Sequence, residues 1–299
     1  MHETLAFHTL DVFTDTAFAG NPLAVVLAAD ALSTSQMQQL AREFNLSETV
    51  FVQKASRVDA DVRVRIFTPA TELPFAGHPT VGTACLLADL GWLPPEATRI
   101  VLEENVGLVP VRLVSAAGKP WFGELTAAQA PELRAADFDL EALPAVLGIE
   151  AAAISSVRLA SGGNPFVLVT VRQPEVLQGI DFDATAARRL LLRSWGHAIY
   201  VVAQGYEGEW RTRMFAPDFG ITEDPATGAA AVAFAGALAL DALARGEQGE
   251  FSWTLHQGVE MGRPSQLFAS ATVSAGQVSA VRVGGHAVRI SEGRVRIPQ

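Results

Sequence analysis

The second half of the amino-acid sequence repeats motifs of the first half in the same order. Gly-Asn-Pro at residues 20–22 returns at 163–165, and Arg-x-Phe-x-Pro at 65–69 returns at 213–217. The spacings of these two repeats, 143 and 148 residues, are nearly equal. Because order and spacing agree, we interpret the chain as two lobes that share one architecture.

Each Arg-x-Phe-x-Pro segment precedes a small-residue turn and an Ala-rich or Gly-rich helix pattern. The first helix pattern, 79–90, stops before the prolines at 94–95, and the second, 229–240, is apolar on every face. An apolar helix of this kind must be buried on all sides, which a surrounding sheet achieves. A further helix and strand of the first half also have counterparts in the second half: 33–44 and 49–53, then 185–195 and 198–203. The prediction is an α+β fold of two pseudo-symmetric lobes, each with a sheet wrapped around a central helix.

The alternative fold, a doubly wound parallel sheet, needs helices that alternate with strands throughout the chain. Short strand patterns between residues 93 and 121 and after residue 251 argue against it. The length of 299 residues suggests about two domains. The residues at 115–120 have the composition of a linker, so we place the boundary between the two domains there. The first lobe spans 1–117, with the segment 280–299 returning to it, and the second lobe spans 118–279.

Charge and hydropathy limit the partners of this protein. Acidic residues number 32 and basic residues 22, so the net charge is −10. Nucleic-acid binding needs a basic face, which argues against such a partner. The longest apolar run has thirteen residues, too few to span a membrane, and the amino terminus lacks a signal-peptide pattern. Cys85 is the single cysteine, which excludes an intramolecular disulfide framework. We therefore expect a cytoplasmic protein without membrane partners.

The starts of the two central helices are candidate ligand sites. A helix start offers N–H groups without intrahelical partners and a partial positive charge, which suit a carboxylate. Gly77 and Gly228 lie at these starts, where the missing side chain lets a ligand approach the backbone. When two lobes pack side by side, both helix starts can face one cleft. The alternative is that both glycines only relieve crowding at a strand-to-helix turn.

Three titratable residues accompany these helix starts. Asp224 precedes Pro225 and is predicted to be the N-cap of the second central helix, either as a cap alone or also as a functional carboxylate. His78 occupies the matching place on the first central helix and could be either structural or functional. Glu48 lies at a helix-to-strand turn, where glutamates are usually solvated but can also act as acid or base.

Several site types lack their sequence signatures. The histidines show no metal-ligand spacing such as His-x-x-x-His, so no metal is expected. A phosphate-binding loop, a dinucleotide fingerprint and a Gly-x-Ser-x-Gly elbow are all missing. Cys85 lies inside the first central helix and is interpreted as a small buried hydrophobe. We expect no cofactor.

Four further segments, together with the two repeated motifs, carry a family resemblance. They are Asn-Leu-Ser-Glu-Thr at 45–49, Glu-Leu-Pro-Phe-Ala-Gly-His-Pro at 72–79, Glu-Asp-Pro-Ala-Thr-Gly at 223–228, and the segment from His256 to Ser265. In these segments the chain resembles the PhzF-like phenazine-biosynthesis isomerases over nearly its whole length. The resemblance implies a diaminopimelate epimerase-like fold, with a mixed sheet around each central helix, and a homodimer.

The resemblance also implies roles for the candidate residues. Glu48 is the general acid/base, which moves a proton between carbons of a small carboxylate-bearing substrate without a cofactor. His78 and Asp224 orient the polar groups of the substrate and assist the transfer. Four further positions are implied to bind substrate: Gly77, Gly228, Asn21 and Ala229.

Two departures bear on the reaction. Diaminopimelate epimerases and proline racemases use a pair of thiols, but Ala76 stands where the first thiol would be. The chain therefore resembles the carboxylate-based branch of these folds. The phenazine enzyme has a serine where this chain has Ala229, which removes one substrate contact. Two alternatives to the isomerase remain: an amino-acid epimerase or racemase, and a catalytically idle member that binds a metabolite or a protein.

Overall fold

The computed structural model describes residues 3–94, 96–205 and 208–299. Met1 and His2, part of the amino terminus that was compared with signal peptides, lie outside the described residues. Pro95, the second proline of the predicted helix stop, lies outside them as well. Among the described residues, no helix is long and apolar enough to cross a membrane.

The chain divides into two compact units. The first unit comprises Met1–Leu125 and Gly284–Gln299, and the second comprises Thr126–Val283. The division falls eight residues beyond the boundary that linker composition suggests at 117/118. The sequence-based lobe limits stay a prediction.

The elements of the first unit follow in chain order: β1 (Thr4–Val12), β2 (Asn21–Val26), α1 (Thr34–Phe44), β3 (Glu48–Lys54), β4 (Val62–Phe67), β5 (Glu72–Leu73), α2 (Gly77–Asp89), β6 (Arg99–Glu104), β7 (Gly107–Val114) and β8 (Phe122–Thr126). Strands β1 and β2 are antiparallel, β2 and β3 parallel, and β3 and β4 antiparallel. Strand β4 is antiparallel to β5 and parallel to β6, which pairs antiparallel with β7. The sheet is therefore mixed.

Helix α2 forms the centre of the first unit. It packs against β1, β2, β3, β6 and β7, and every residue from its start to Ala88 is buried. Gly82 allows this close packing, because a Cβ there would lie 2.6 Å from Val12 Cγ2 and 2.7 Å from Leu23 Cδ2. Helix α1 instead covers the outside of the sheet, and its apolar face includes Met37 and Leu40.

The elements of the second unit are β9 (Glu132–Ala135), α3 (Leu143–Leu147), β10 (Ile154–Ser161), β11 (Pro165–Val171), α4 (Glu175–Gln178), α5 (Ala184–Leu191), β12 (Ile199–Gln204), β13 (Trp210–Ala216), β14 (Ile221–Asp224), α6 (Gly228–Ala244), β15 (Gly249–Gln257) and β16 (Ser265–Ser274). The last strand, β17 (Gln277–Arg296), begins in this unit and ends in the first, where it pairs with β1.

The pairing order of the first unit recurs in the second. Strands β10 and β11 are antiparallel, β11 and β12 parallel, and β12 and β13 antiparallel. Strand β13 is antiparallel to β14 and parallel to β15, which pairs antiparallel with β16. Helix α6 packs against β9, β10, β11, β15 and β16. The prediction of an α+β fold, with a mixed sheet around a central helix in each half, is confirmed.

The boundaries of several elements differ from the sequence prediction. Helix α2 begins at Gly77 rather than at residue 79, and α6 extends to Ala244 rather than to 240. Helix α5 ends at Leu191, four residues before its predicted end. Helix ends depend on tertiary contacts that periodicity alone does not contain, which explains these shifts.

Candidate functional site

The Arg-x-Phe-x-Pro motif of the first unit holds the segment that leads into α2. Arg65 on β4 donates two hydrogen bonds to the carboxylate of Glu72 on β5, at 2.8 and 2.7 Å. The same guanidinium lies over the ring of Phe67, 5.2 Å from its centroid. A bidentate pair fixes both distance and orientation. It therefore holds the two-residue strand β5 directly before the turn into the helix.

The second copy of the motif does the same before α6. Arg213 donates two hydrogen bonds of 2.8 Å to Glu223 on β14 and lies 5.0 Å from the centroid of the Phe215 ring. It also donates to the carbonyl oxygen of Leu177 at 2.7 Å. Sequence reasoning used this motif only as a sign of repetition and missed the glutamate partners. A glutamate directly before each helix turn was the available signal.

The N-cap residues of α2 and α6 leave the helix starts without a side-chain cap. Neither Ala76 nor Thr227 makes a side-chain hydrogen bond to its helix. Helices α1 and α5, in contrast, are capped by Ser33 and Asp183. The N-cap side chains of the two central helices therefore do not occupy the backbone N–H groups of the first turn. The partial positive charge of each helix start is not offset by its N-cap side chain. Gly77 and Gly228, the first residues of α2 and α6, lie at the helix starts as predicted; their role in binding stays a prediction.

Glu48 and His78 lie side by side at the start of α2. Glu48 is the first residue of β3, in parallel register with Leu23 of β2, so its predicted place on a connecting turn is wrong. The strand buries Glu48, whose side chain is 11% exposed, whereas a turn would leave it solvated. His78 is the second residue of α2, and its Nδ1 lies 3.5 Å from Glu48 Oε2.

The imidazole of His78 is neutral near neutral pH. Burial lowers its pKa to about 3, and a backbone hydrogen bond with Pro22 offsets only part of this shift. The contact with Glu48 therefore joins a carboxyl group to a neutral ring, not to an imidazolium ion. A neutral imidazole has one donor and one acceptor nitrogen. The neutral ring can therefore donate a proton from one nitrogen or accept a proton at the other, and no ion pair with Glu48 has to be broken first.

Asn21 lies close to this pair along the sheet. It is the first residue of β2, two positions before the strand partner of Glu48, and its side chain is fully buried. Gly20, which precedes it, has a φ of 67°, a conformation that favours glycine. The Gly-Asn-Pro motif thus turns the chain into β2. The substrate-binding role of Asn21 stays a prediction.

The second unit holds a hydrogen-bonded network at the start of α6. Asp224 is the last residue of β14, and Thr227 is the N-cap, so the prediction that Asp224 is the N-cap is wrong. The Thr227 hydroxyl donates to Asp224 Oδ2 at 2.5 Å. Gln257 Nε2 donates to the Asp224 backbone carbonyl at 2.7 Å and to Thr227 Oγ1 at 3.0 Å. Asp224 is held four residues before the first residue of the helix because β14 pairs with β13 as far as Asp224.

Sequence reasoning missed Thr227 and Gln257 as members of this network. Gln257 ends β15, 30 residues from Thr227, and local patterns do not show such a distant bond. Ala229, the second residue of α6, occupies the place that His78 has in α2. Its predicted contact with substrate stays a prediction.

The remaining candidates are consistent with a site built from carboxylates. Cys85 is buried inside α2, and burial raises the pKa of its thiol, so the thiolate is disfavoured. In the part of the chain that the structure describes, no group of three or more His, Cys, Asp or Glu residues could hold a metal ion.

The repeated α+β units and the two uncapped helix starts define a protein of the diaminopimelate epimerase-like fold class. A family model described as phenazine biosynthesis-like protein, PhzC-PhzF, matches residues 10–293. The chain belongs to this family, and it is an isomerase of the PhzF-like kind. These findings confirm the family, fold and enzyme class that the sequence predicts.

Three known proteins illustrate the relationship. An uncharacterized isomerase of Mesorhizobium japonicum is 42% identical over 307 residues, which cover 99% of this chain and 100% of the relative. The trans-2,3-dihydro-3-hydroxyanthranilate isomerase of Pseudomonas aeruginosa is 38% identical and covers 95% of this chain and 97% of its own. The crystal structure of a PhzF-family phenazine biosynthesis protein of Bacillus anthracis has a TM-score of 0.89 and 26% identity, covering 99% of this chain and 100% of that chain.

Proposed function

We propose that the protein catalyses a cofactor-independent proton transfer between carbons of a small carboxylate-bearing metabolite. Glu48 takes the proton from one carbon and returns it to another. The observation that carries this proposal is the buried Glu48 carboxyl group 3.5 Å from the neutral His78 ring, at a helix start without a side-chain cap. A carboxylate at this position can act as a base on a substrate that is bound at the helix start.

The first unit supplies two contributions to the reaction. General acid–base catalysis by one placed group contributes about 10²–10⁴-fold. As Glu48 removes a proton next to the substrate carboxylate, negative charge develops on the enolate-like oxygens. The backbone N–H groups of Gly77 and His78 and the positive end of α2 stabilise that charge. His78 orients a polar group of the substrate and can relay a proton to or from Glu48.

The proposal extends to the second unit through Asp224. Its carboxylate accepts from the Thr227 hydroxyl, while Gln257 bonds the backbone carbonyl of Asp224 and the backbone N–H of Thr227, both directly before the helix. A carboxylate held in this way can bind an amine or hydroxyl substituent of the substrate. In the second unit, Gly228 and Ala229 are proposed to contribute backbone N–H donors. In the first unit, Asn21 is proposed to make a polar contact with substrate.

The substrate class follows from this chemistry and from the relatives. The relative in Pseudomonas aeruginosa is named for trans-2,3-dihydro-3-hydroxyanthranilate, which makes that compound the first substrate to test. We propose a substrate that likewise has a carboxylate and a hydrogen acidified by an adjacent unsaturated carbon. A homodimer and a cytoplasmic location accompany the proposal; light scattering and cell fractionation test them.

The test is incorporation of solvent deuterium into trans-2,3-dihydro-3-hydroxyanthranilate and a panel of small cyclic carboxylates. We expect label with the wild-type protein and none with Glu48→Gln, which keeps the shape but removes the base. Calorimetry should show that Glu48→Gln still binds the compound into which the wild-type protein incorporates deuterium. Glu43→Gln, on the exposed surface of α1, is the matched control and should exchange normally. Wild-type exchange by Glu48→Gln would overturn the role of Glu48. The alternative, a catalytically idle family member that binds a metabolite or a protein, would be favoured by two results together. The wild-type protein would incorporate no deuterium into any compound of the panel, and it would bind a metabolite or a protein tightly.

A further inference from the structure

Thr80, in the first turn of α2, has one hydroxyl hydrogen and two close oxygen neighbours. Its Oγ1 lies 2.7 Å from the backbone carbonyl oxygen of Ala76 and 2.6 Å from Oε1 of Glu104, at the end of β6. Both distances are those of O–H···O hydrogen bonds. A carbonyl oxygen can only accept, so the Thr80 hydrogen satisfies that contact. The contact with Glu104 then needs a second hydrogen, and the carboxyl group of Glu104 can supply it.

The surroundings of Glu104 favour the neutral acid. The side chain is 5% exposed, and its Oε2 has no hydrogen-bond partner among the residues that the structure describes. Burial raises the pKa of Glu104 to about 8, although the Thr80 hydrogen bond acts in the opposite direction. The other titratable groups on β6 and on the elements packed against it are Arg99, Glu103, His78, Cys85, Asp89, Arg63, Arg65 and Arg112. Burial is the largest cause of the raised pKa of Glu104.

The second unit has a permanently neutral side chain at the equivalent position. Arg63 pairs with Glu103 in the first unit, and Arg211 pairs with His256 in the second, so the next residues, Glu104 and Gln257, correspond. The Gln257 amide donates to groups directly before α6 without any change of charge. Both strands thus end in a residue that bonds to the start of the central helix. Only the first unit uses one that can ionise.

We propose that Glu104 is a positioning residue that acts as a neutral carboxylic acid. It donates its proton to Thr80 Oγ1, Thr80 donates to the Ala76 carbonyl, and this chain holds the first turn of α2 and thereby His78. When Glu104 ionises, Thr80 turns its hydroxyl hydrogen to the carboxylate, and the Ala76 carbonyl keeps only the weaker bond from the Thr80 backbone N–H at 3.2 Å. The link to His78 rests on the proposed function; the protonation of Glu104 does not.

Infrared spectroscopy tests the protonation without any substrate. The wild-type protein should show the carbonyl stretch of a protonated carboxylic acid near neutral pH, and the band should vanish as the pH rises past about 8. Glu104→Gln should lack the band. Glu103→Gln, the same change one residue earlier, should keep it, because Glu103 is a separate carboxylate bonded to Ser56 and Arg57. Absence of the band from the wild-type protein at neutral pH would overturn the proposal even if Glu104→Gln does not fold.

The pH dependence of deuterium exchange tests the positioning role. Wild-type exchange should fall about fivefold over the first pH unit above the Glu104 pKa, since the protonated fraction drops from about a half to about a tenth. Glu104→Gln should match the wild-type rate at neutral pH within about twofold and should not show this fall. Glu104→Leu should be slow at every pH. An identical alkaline fall in wild-type protein and Glu104→Gln would overturn the role. Failure of the wild-type protein to exchange any substrate would instead overturn the proposed function and leave the infrared result to decide the protonation.

Discussion

The starts of α2 and α6 share a frame but differ in chemistry. In each unit an Arg–Glu pair holds a short strand, β5 or β14, directly before the turn. Each helix then begins with a glycine and has an N-cap residue without a capping side-chain bond. Helices α1 and α5 have side-chain caps, so α2 and α6 differ from them in this respect, although the short helices α3 and α4 also lack such caps.

The side chains on this frame have diverged. The second position of the helix is His78 in α2 and Ala229 in α6, and the strand beneath ends in Glu104 in one unit and Gln257 in the other. The first unit thus carries titratable groups that can move protons, whereas the second carries a hydrogen-bonded network around one carboxylate. The two units therefore share the backbone arrangement around the start of the central helix, and they differ in the side chains at a few equivalent positions.

The strongest test of this contrast is Glu48→Asp. The change withdraws the carboxylate by one methylene, and proton transfer needs a reach of about 2.6–3.2 Å. We expect a loss of about 10²-fold or more in deuterium exchange. Glu43→Asp on the exposed side of α1 controls for the change of residue type. A smaller loss for Glu48→Asp than for a change at Asp224 would place the proton chemistry in the second unit instead.

The two Arg–Glu pairs should differ in strength. Arg213 and Glu223 are 10% and 14% exposed, and Arg213 also bonds the Leu177 carbonyl. We expect Arg213→Met to reduce the free energy of unfolding by about 3–5 kcal/mol, the range for breaking a buried pair. Arg65→Met breaks a pair that is 15% and 23% exposed, and it should cost about 1–3 kcal/mol. Urea unfolding measures both, and equal losses would contradict the difference in burial.

Acid should weaken the protein through His78, which has no titratable counterpart at Ala229. The folded-state pKa of about 3 lies below the unfolded value of 6.5, so only the unfolded chain takes up the proton between these values. The free energy of unfolding is therefore not reduced by His78 above about pH 6.5. Below that pH, His78 lowers it by about 1.4 kcal/mol for each pH unit, down to about pH 3. His78→Gln should lack this part of the acid dependence in urea unfolding.

Glu104 changes the free energy of unfolding in the opposite direction to His78 over part of the same pH range. Its folded-state pKa of about 8 lies above the usual 4.5, so its contribution to stability grows as the pH falls between these values. The quantity to measure is therefore the difference between wild-type protein and His78→Gln at each pH. A difference that does not change between pH 7 and pH 5 would show that His78 is not buried in its neutral form.

Asp224→Asn tests the network of the second unit. Asparagine keeps an oxygen that can accept from Thr227 but removes the charge, so stability should change by less than about 1 kcal/mol. Activity should fall about tenfold to a hundredfold if the carboxylate binds a cationic or hydroxyl substituent of the substrate. Unfolding and deuterium exchange, measured together, separate the two effects. Normal exchange would reduce Asp224 to a structural residue.

The smallest effects should come from the capped outer helices. Ser33→Ala and Asp183→Ala each remove a side-chain oxygen that accepts from the first turn of α1 or α5. Each should lower the free energy of unfolding by about 0.5–2 kcal/mol and leave activity unchanged. A loss of activity from either change would show that the outer helices take part in the reaction and would weaken the contrast with α2 and α6.

Some features of this protein are determined by local sequence. The Ser33–Gln36 capping box sets the start of α1, and both of its hydrogen bonds join residues within one helical turn. The repeated motifs predict the repeated strand order, and the apolar composition of 229–240 predicts a buried helix. Burial on all sides is not complete, because Ala229, Leu238 and Leu240 are only half-buried. These inferences succeed because propensity, capping and periodicity act over a few residues.

The arrangement around the helix starts was decided by tertiary structure. Asp224 ends a strand instead of capping α6, because β13 pairs with β14 up to that residue. Glu104 reaches Thr80 from 24 residues away, and Gln257 reaches Thr227 from 30. The sequence alone could not show these bonds, since β pairing and burial bring distant residues together. Burial also sets the charge state, because removing water disfavours the ionised form of Glu104 and His78, and no local pattern records that loss of water.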